Sequence, residues 1–174
     1  MTVPRGYTMI VPPDLVKCIA AIHAAPHRLV LAFAGAGSLG LAWLHAIAGS
    51  SRTVLEAIDA YSSRSRLALT GDIGAPAVSA ETAQAMAAWA YRRAQVLSEG
   101  EWPLLGVGLT AAIITDRQRR GADHAFLSIQ SAAGLQTGHL TLDRANQQRS
   151  DQEILVSRWL IGEIARACNI AINP

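Results

Sequence analysis

The sequence predicts an α/β fold, a layered mixed sheet with helices on both faces, from three observations. The continuous apolar run at 29–34 is typical of a strand that is covered on both faces. Strand-like and helix-like segments alternate through the first two thirds of the chain, which is typical of strands joined by packed helices. Late in the chain, two strand-like segments that meet at Ala133-Gly134 predict an antiparallel hairpin.

The individual elements follow from apolar spacing and from the residues that begin and end each segment. Strands are predicted at 29–34, 52–58, 104–109, 125–132 and 136–142. Helices are predicted from Asp14 to before Pro26, and at 41–48, 62–69, 79–97 and 150–168, with Ser79 as the cap of the fourth. Residues 1–13 are predicted to form an irregular leader, and residues 14–172 a single domain.

Composition excludes several classes of protein. The chain has 174 residues, 51% of them hydrophobic, with 15 basic and 13 acidic residues and a net charge of +2. This balance argues against a nucleic-acid-binding protein, which would carry a basic face or tail. Residues 29–51 hold no Asp, Glu, Lys or Arg, but Gly35, Gly37 and Gly40 divide the segment into a strand and a helix, so we predict no membrane span.

The N-terminus, the cysteines and the histidines together predict a cytoplasmic protein without a metal or a cofactor. The N-terminus carries no secretory signal, and Cys18 and Cys168 are predicted to be reduced, buried thiols. The five histidines show no metal-ligand spacing.

The segment Gly35-Ala36-Gly37-Ser38-Leu39-Gly40 is a G-x-G-x-x-G motif between a predicted strand and a predicted helix. Glycines let a phosphate approach the backbone, and the helix N-terminus offers unpaired N–H groups. The sequence therefore predicts a phosphate-binding turn at Gly35, Gly37, Ser38 and Gly40, with Glu56 or Asp59 near a ribose. A tight turn that needs small residues for packing remains the alternative.

Two further segments offer anion-binding side chains at the predicted strand ends. Tyr61, Ser62 and Arg66 follow the second strand, where a guanidinium can grip a phosphate with two parallel hydrogen bonds. Arg117 and Arg120 lie in a polar loop after the third strand. The alternatives are a helix cap with a solvated face for the first segment and a solvated loop for the second.

Four segments resemble the CinA C-terminal domain family, in the family's order, over about residues 14–168. Residues 34–41 read Ala-Gly-Ala-Gly-Ser-Leu-Gly-Leu, where the family carries Ala-Glu-Ser-Cys-Thr-Gly-Gly-Leu. Residues 60–66 read Ala-Tyr-Ser-Ser-Arg-Ser-Arg, where the family carries Thr-Tyr-Ser-Asn-Glu-Ala-Lys. Residues 78–87 are similar to the family's Val-Ser-Glu-Glu-Val-Ala-x-Ala-Met-Ala, and residues 109–115 more distantly to its Val-Thr-Gly-Ile-Ala-Gly-Pro.

The family is known for nicotinamide mononucleotide deamidases. The resemblance therefore implies the α/β fold of this family and a cleft for a pyridine nucleotide. It also implies that the nucleophilic serine of the family corresponds to Ala36, and its lysine to Arg66. An alanine has no attacking oxygen, and an arginine stays protonated and is a poor base. The chain is therefore identified as a divergent member that lacks the deamidase machinery.

The resulting hypothesis is a domain that binds a phosphorylated small molecule, such as a pyridine nucleotide. Its cleft is predicted to be lined by the glycine turn with Ser38, by Tyr61, Ser62 and Arg66, and closed by Thr110 with Arg117 or Arg120. One alternative is an active amidohydrolase whose nucleophile has moved to Ser38 or Ser62. The other is an interaction protein, and we expect a homo-oligomer, with an apolar helix such as 83–97 at its interface.

Overall fold

A computed structural model of the protein describes residues 11–116 and 121–171. The strands are β1 (Arg28–Ala34), β2 (Val54–Asp59), β3 (Leu104–Ala112), β4 (Asp123–Ser131) and β5 (Gly134–Leu142). The helices are α1 (Pro13–Ala24), α2 (Ser38–Ala46), α3 (Ser50–Thr53), α4 (Ser63–Thr70), α5 (Ala80–Leu97) and α6 (Arg149–Ala167).

The five strands form one mixed sheet in the order β2-β1-β3-β4-β5. Strand β1 lies at the centre of the parallel part and pairs in parallel with both β2 and β3. Strands β3, β4 and β5 are antiparallel to one another. The chain thus leaves β1 to build β2 on one side and then returns to build β3 on the other side.

Helices cover both faces of the sheet, which confirms the predicted fold class. On one face, α1, α2 and α6 pack on the strands in a cluster that includes Ile22, Leu44 and Leu160. On the other face, α5 packs through Met86 and Ala90. The strand β3 carries glycines beneath α5 because a Cβ at Gly106 or Gly108 would lie 2.2 Å from the helix backbone.

Most predicted elements are confirmed, and several of their bounds are corrected. Helix α2 begins at Ser38 rather than at residue 41, directly after the glycine turn. Arg52 and Thr53 belong to the short helix α3, so β2 begins only at Val54. Strand β3 extends to Ala112. The tight turn of the hairpin is Ala132-Ala133, because Gly134 already pairs with Ser131.

The cysteines and the segment without charged residues also have defined places. Cys18 and Cys168 are free thiols; Cys168 is buried, as predicted, whereas Cys18 is only half-buried. Burial raises the pKa of Cys168 to about 12, so this thiol stays protonated. The uncharged segment consists of β1, the glycine turn, α2 and the start of α3. In the described part of the chain, no helix has both the length and the apolarity that a bilayer crossing requires.

Candidate functional site

A cleft lies where the parallel strands end. Gly35 follows β1, Tyr61 lies just after β2, and Ile113 follows β3. The chain passes from β1 to β2 on one side, and β3 lies on the other side of β1. The strand order therefore reverses at the carboxyl end of β1. Ligands of open α/β sheets bind at such points, outside the carboxyl ends of the strands.

The first glycine of the turn is fixed by its closeness to the neighbouring strand. Gly35 has a φ of +90°, and a Cβ there would lie 2.0 Å from the carbonyl oxygen of Ala111. Any other residue would clash with β3 and would also adopt a backbone conformation that L-residues rarely take. The requirement for glycine at this position is thus explained by packing alone.

The other two glycines of the motif also serve packing. Gly37 has a φ of +105°, and a Cβ there would lie 2.5 Å from the Cδ2 of Leu109. A Cβ at Gly40 would lie 2.9 Å from the Cδ2 of Leu160, so this glycine lets α2 approach α6 closely. The tight-turn alternative therefore describes these glycines correctly, whether or not a ligand binds beside them.

The donors of the glycine turn have an acceptor within the protein, the carboxylate of Glu153 on α6. The backbone N–H of Gly37 donates to Glu153 Oε1 at 3.0 Å and to Oε2 at 3.2 Å. The N–H of Leu39 and the hydroxyl of Ser38 each donate to Oε1 at 3.0 Å. Ser157, one turn further along α6, donates to the same oxygen at 3.3 Å. A negative charge thus already sits at the N-terminus of α2, where the helix dipole favours it.

Glu153 was not among the residues predicted for the site, and it lies 116 residues from Gly37. No local pattern marks it, since α6 shows only an ordinary amphipathic spacing. The contact arises from the close packing of α2 on α6 at Gly40. The only available signal was the general preference of helix N-termini for carboxylates, which does not say which of the 13 acidic residues would supply one.

Two adjoining cavities open at the cleft. The smaller, of about 70 Å³, is lined by Phe33, Gly35, Ala36, Ser38, Asp59, Tyr61, Arg149 and Glu153. The larger, of about 140 Å³, is lined by Gly35, Tyr61, Val78, Ala111, Ala112, Ile113, Thr115 and Arg149. They share Gly35, Tyr61 and Arg149, so these three residues stand at the centre of the cleft.

The smaller cavity is acidic. Asp59, at the end of β2, lies close enough to Glu153 for their charges to interact. Burial, and then the charge of Glu153, raise the pKa of Asp59 above its usual range. Glu56, the other acidic residue expected near a ribose, is instead paired with Arg93 through two hydrogen bonds of 2.8 Å and 3.0 Å. That ion pair lowers the pKa of Glu56.

The junction of the two cavities carries a guanidinium. Arg149, the first residue of α6, donates from Nη1 to the carbonyl oxygen of Ile114 at 2.7 Å. Its side chain is otherwise exposed, and its remaining N–H groups have no hydrogen-bond partner in residues 11–116 and 121–171. Arg149 was not among the residues predicted for the site, because the start of the last helix gives no sign that it reaches the strand ends.

A buried polar network holds the end of β3 beside this arginine. Gln152 accepts from the N–H of Ile114 at 2.8 Å and donates to Asp123 at 3.1 Å. Asp123 is also held by Arg144, whose Nε donates to it at 3.0 Å. Both Asp123 and Gln152 are fully buried, so each polar group needs the partner it has. The network fixes α6 against the exit of β3 and so positions Arg149.

Ala36 contributes a methyl group to the smaller cavity. It is 4% exposed and lies between the two positive-φ glycines. This is the position that corresponds to the nucleophilic serine in the CinA resemblance. The nearest hydroxyl along the chain is that of Ser38, which is engaged by Glu153.

Of the residues predicted after β2, Tyr61 lines both cavities and is 68% exposed. Ser62 is the cap of α4 and accepts from the N–H of Ser65 at 3.1 Å, as the alternative interpretation expected. Arg66 is a half-buried residue of α4 and is not among the described residues that line either cavity.

Thr110 lies on the face of the sheet that α5 covers, rather than facing the cleft. It pairs with Ala34, whose side chain packs in the same cluster as Met86 and Ala90 of α5. Thr110 is fully buried, and its hydroxyl has no hydrogen-bond partner in the described part of the chain. Arg117 and Arg120 lie outside the residues that the structure describes. Within residues 11–116 and 121–171, no three His, Cys, Asp or Glu side chains form a group that could hold a metal ion.

Comparisons with known proteins agree with this architecture. No family model matches the sequence, and no curated protein matches it. Among solved structures, the competence/damage inducible protein CihA from Agrobacterium tumefaciens superposes with a TM-score of 0.67 at 21% identity, over 92% of this chain and 98% of that one. The chain has a CinA-type fold.

Two further CinA superfamily proteins show the same similarity to this CinA-like chain. One, from Klebsiella pneumoniae, gives a TM-score of 0.70 at 13% identity and covers 90% of this chain and 96% of its own. Another, from Enterobacter cloacae, gives a TM-score of 0.64 at 16% identity, and the match covers 97% of this chain and 98% of that one. The resemblance identified from four sequence segments is thus confirmed as a similarity of fold, at low sequence identity.

Proposed function

We propose that this CinA-like chain binds a phosphorylated small molecule of the pyridine nucleotide class and does not hydrolyse its amide. The observation that carries the proposal is the cleft itself, at the reversal point of the sheet, with an exposed guanidinium at its centre and a methyl group where the resemblance implies a nucleophile. The fold supports the location of the ligand, and the residues of the cleft support its charge.

Arg149 is the best candidate to bind the phosphate. It stands at the junction of the cavities and presents N–H groups with no other acceptor in the described residues, and a guanidinium matches phosphate with two parallel hydrogen bonds. The glycine turn, the site first expected for the phosphate, is a weaker candidate because Glu153 already accepts from its donors. The phosphate would therefore lie in the larger cavity, which neither Asp59 nor Glu153 lines.

Calorimetric titration with nicotinamide mononucleotide tests the binding site. We expect saturable binding that is lost, or weakened at least tenfold, in Arg149→Gln. Arg158→Gln is the matched control, because Arg158 lies on the same helix but pairs with Asp14, away from the cleft. Folded protein that gives no heat with nicotinamide mononucleotide or with inorganic phosphate would contradict the proposal.

The absence of the deamidase reaction follows from the missing groups. Acyl transfer needs an attacking atom and a group that takes its proton. Ala36 supplies no attacking atom, and Arg66 is a poor base because a guanidinium keeps its proton.

A relocated Ser38 nucleophile is the second candidate, and one contact favours it. The Ser38 hydroxyl donates to Glu153 at 3.0 Å, as a nucleophile does to its base. Against this, Gly37, Leu39 and Ser157 also donate to Glu153, so the lone pairs that would take the proton are engaged. Release of ammonia from nicotinamide mononucleotide that disappears in Ser38→Ala would establish the second candidate in place of the first.

A further inference from the structure

We propose that the outer edge of β5 pairs antiparallel with β5 of a second copy of this chain. The strand is the last of the sheet, and no other strand of the described residues lies beyond it. An open edge presents a row of unpaired N–H and C=O groups that will pair with another strand unless something prevents it.

Strand β5 lacks the features that usually protect an edge from pairing. It is nine residues long, Gly134–Leu142, and contains no Asp, Glu, Lys, Arg or Pro. Its nine pairs with β4 run without a register shift, so no bulge twists it away. Natural monomeric proteins rely on short strands, charges, prolines or bulges at such edges.

The opposite edge of the same sheet provides a comparison. Strand β2 has only six residues, its pairing with β1 is irregular at the start, and it carries Glu56 and Asp59. Glu56 is bound by Arg93 from α5. One edge of this sheet is thus protected by charge and irregularity, whereas the other is regular and uncharged.

The register of the hairpin identifies the outward-facing backbone groups. The two-residue turn is closed by the pair Ser131 and Gly134, and hydrogen-bonded pairs alternate with non-bonded pairs along antiparallel strands. Every second residue from Gly134 therefore bonds β4, and the residues between them direct their N–H and C=O groups outward. These are Leu135, Thr137, His139 and Thr141, all of them exposed.

The edge is held in place rather than frayed. Thr137 accepts a hydrogen bond from Gln84 of α5 at 3.1 Å and shares another of 2.9 Å with Ser128 of β4. Gly138 packs under the ring of Trp159, since a Cβ there would lie 2.8 Å from it. A partner strand would therefore meet an ordered edge and would not have to order it on binding.

A second copy is the occupant that this strand fits best. A two-fold axis brings a strand antiparallel to itself and makes the same surface serve both copies. Because β5 is uncharged, such pairing places no like charges together, which would otherwise oppose it. The partly exposed side chain of Leu135, at 43%, would then be covered by the partner.

Light scattering during size-exclusion chromatography of the full chain tests the proposal. We expect twice the single-chain mass of 18.4 kDa for the unaltered protein. Leu135→Lys/Thr141→Lys places two charges on the edge and should give the single-chain mass, with an unchanged circular dichroism spectrum. Val96→Lys is the control for an added lysine away from the edge, because it places a positive charge at an exposed apolar residue of α5 and should keep the double mass.

Hydrogen exchange separates the possible occupants. Amides of Leu135, Thr137, His139 and Thr141 should be protected in the unaltered protein and exchange at least tenfold faster in the double lysine variant. A single-chain mass with protected amides would show that another part of the same chain covers the edge and would overturn the proposal. A single-chain mass with unprotected amides, or a double mass that survives both lysines, would overturn it as well.

Discussion

The carboxylate of Glu153 accepts a hydrogen bond from the backbone N–H of Gly37 at 3.0 Å. A negative charge from α6 thereby lies at the N-terminus of α2. The motif that suggests a phosphate turn is thus satisfied within the protein. A G-x-G-x-x-G segment at the start of a helix predicts an anion, and here the anion is a side chain.

Removing this carboxylate should destabilise the contact between α2 and α6. In Glu153→Ala, the N–H groups of Gly37 and Leu39 lose their acceptor, and we expect the free energy of unfolding to fall by roughly 2 kcal/mol, since hydrogen bonds to charged groups contribute about 1.5–3 kcal/mol. Urea denaturation measures this free energy. Glu153→Gln keeps one acceptor oxygen, so its free energy of unfolding should fall by less. An unaltered midpoint in Glu153→Ala would show that the contact contributes nothing.

The same substitution should open an anion site. Without Glu153, the donors of the turn and the Ser38 hydroxyl face the cleft with no acceptor, and helix N-termini attract anions. We expect crystals of Glu153→Ala soaked in sulfate to hold the ion against Gly37 and Leu39. The unaltered protein should show none at this turn. Sulfate bound there with Glu153 still in place would contradict this account.

Gly35 should tolerate no side chain. Gly35→Ala places a Cβ 2.0 Å from the Ala111 oxygen at a φ of +90°, and we expect a loss of roughly 3 kcal/mol, combining overpacking of about 1–3 kcal/mol with backbone strain of roughly 1–2 kcal/mol. Gly74→Ala is the matched control, because Gly74 has a φ of +66° but open space around it. Its loss should be about 1 kcal/mol. Equal losses would mean that closeness to β3 is unimportant.

Stability should fall as the solution becomes acidic, partly because of His23. This buried ring lies 2.9 Å from the Thr53 hydroxyl and 2.9 Å from the Leu44 carbonyl, which requires a proton on Nε2. Burial lowers the pKa of His23, and also that of His27. A folded pKa below the unfolded value near 6.5 means that the unfolded chain takes up the proton first. The contribution is therefore complete above about pH 6.5 and is lost as the pH falls below it.

Denaturation at several pH values measures this effect. The free energy of unfolding should decrease between pH 7.5 and pH 5, and His23→Gln should reduce that decrease whatever its effect at neutral pH. A slope that is identical in the unaltered protein and in His23→Gln would show that His23 does not titrate with folding.

Features with a local cause could be predicted from the sequence. The strand at 29–34, the cap at Ser79 and the turn after β1 each depend on a few neighbouring residues, and all three are present. The hairpin was predicted one residue late, because Gly134 suggested a turn residue whereas it is the first residue of β5.

Features that depend on distant packing could not be predicted in the same way. Glu153 and Arg149 reach the cleft only because α6 crosses the strand ends. Thr110 lies away from it because the register with Ala34 turns its side chain toward α5. Sequence spacing predicted this strand only to residue 109, one residue short of Thr110. It could not have shown which face Thr110 occupies, since both faces of a covered strand are apolar.

Ammonia release and ligand binding, measured together on one sample with nicotinamide mononucleotide, test the central claim most directly. We expect saturable binding that depends on Arg149, with no ammonia above the rate in buffer. Ammonia produced in proportion to the protein, and abolished by Ser38→Ala, would contradict it.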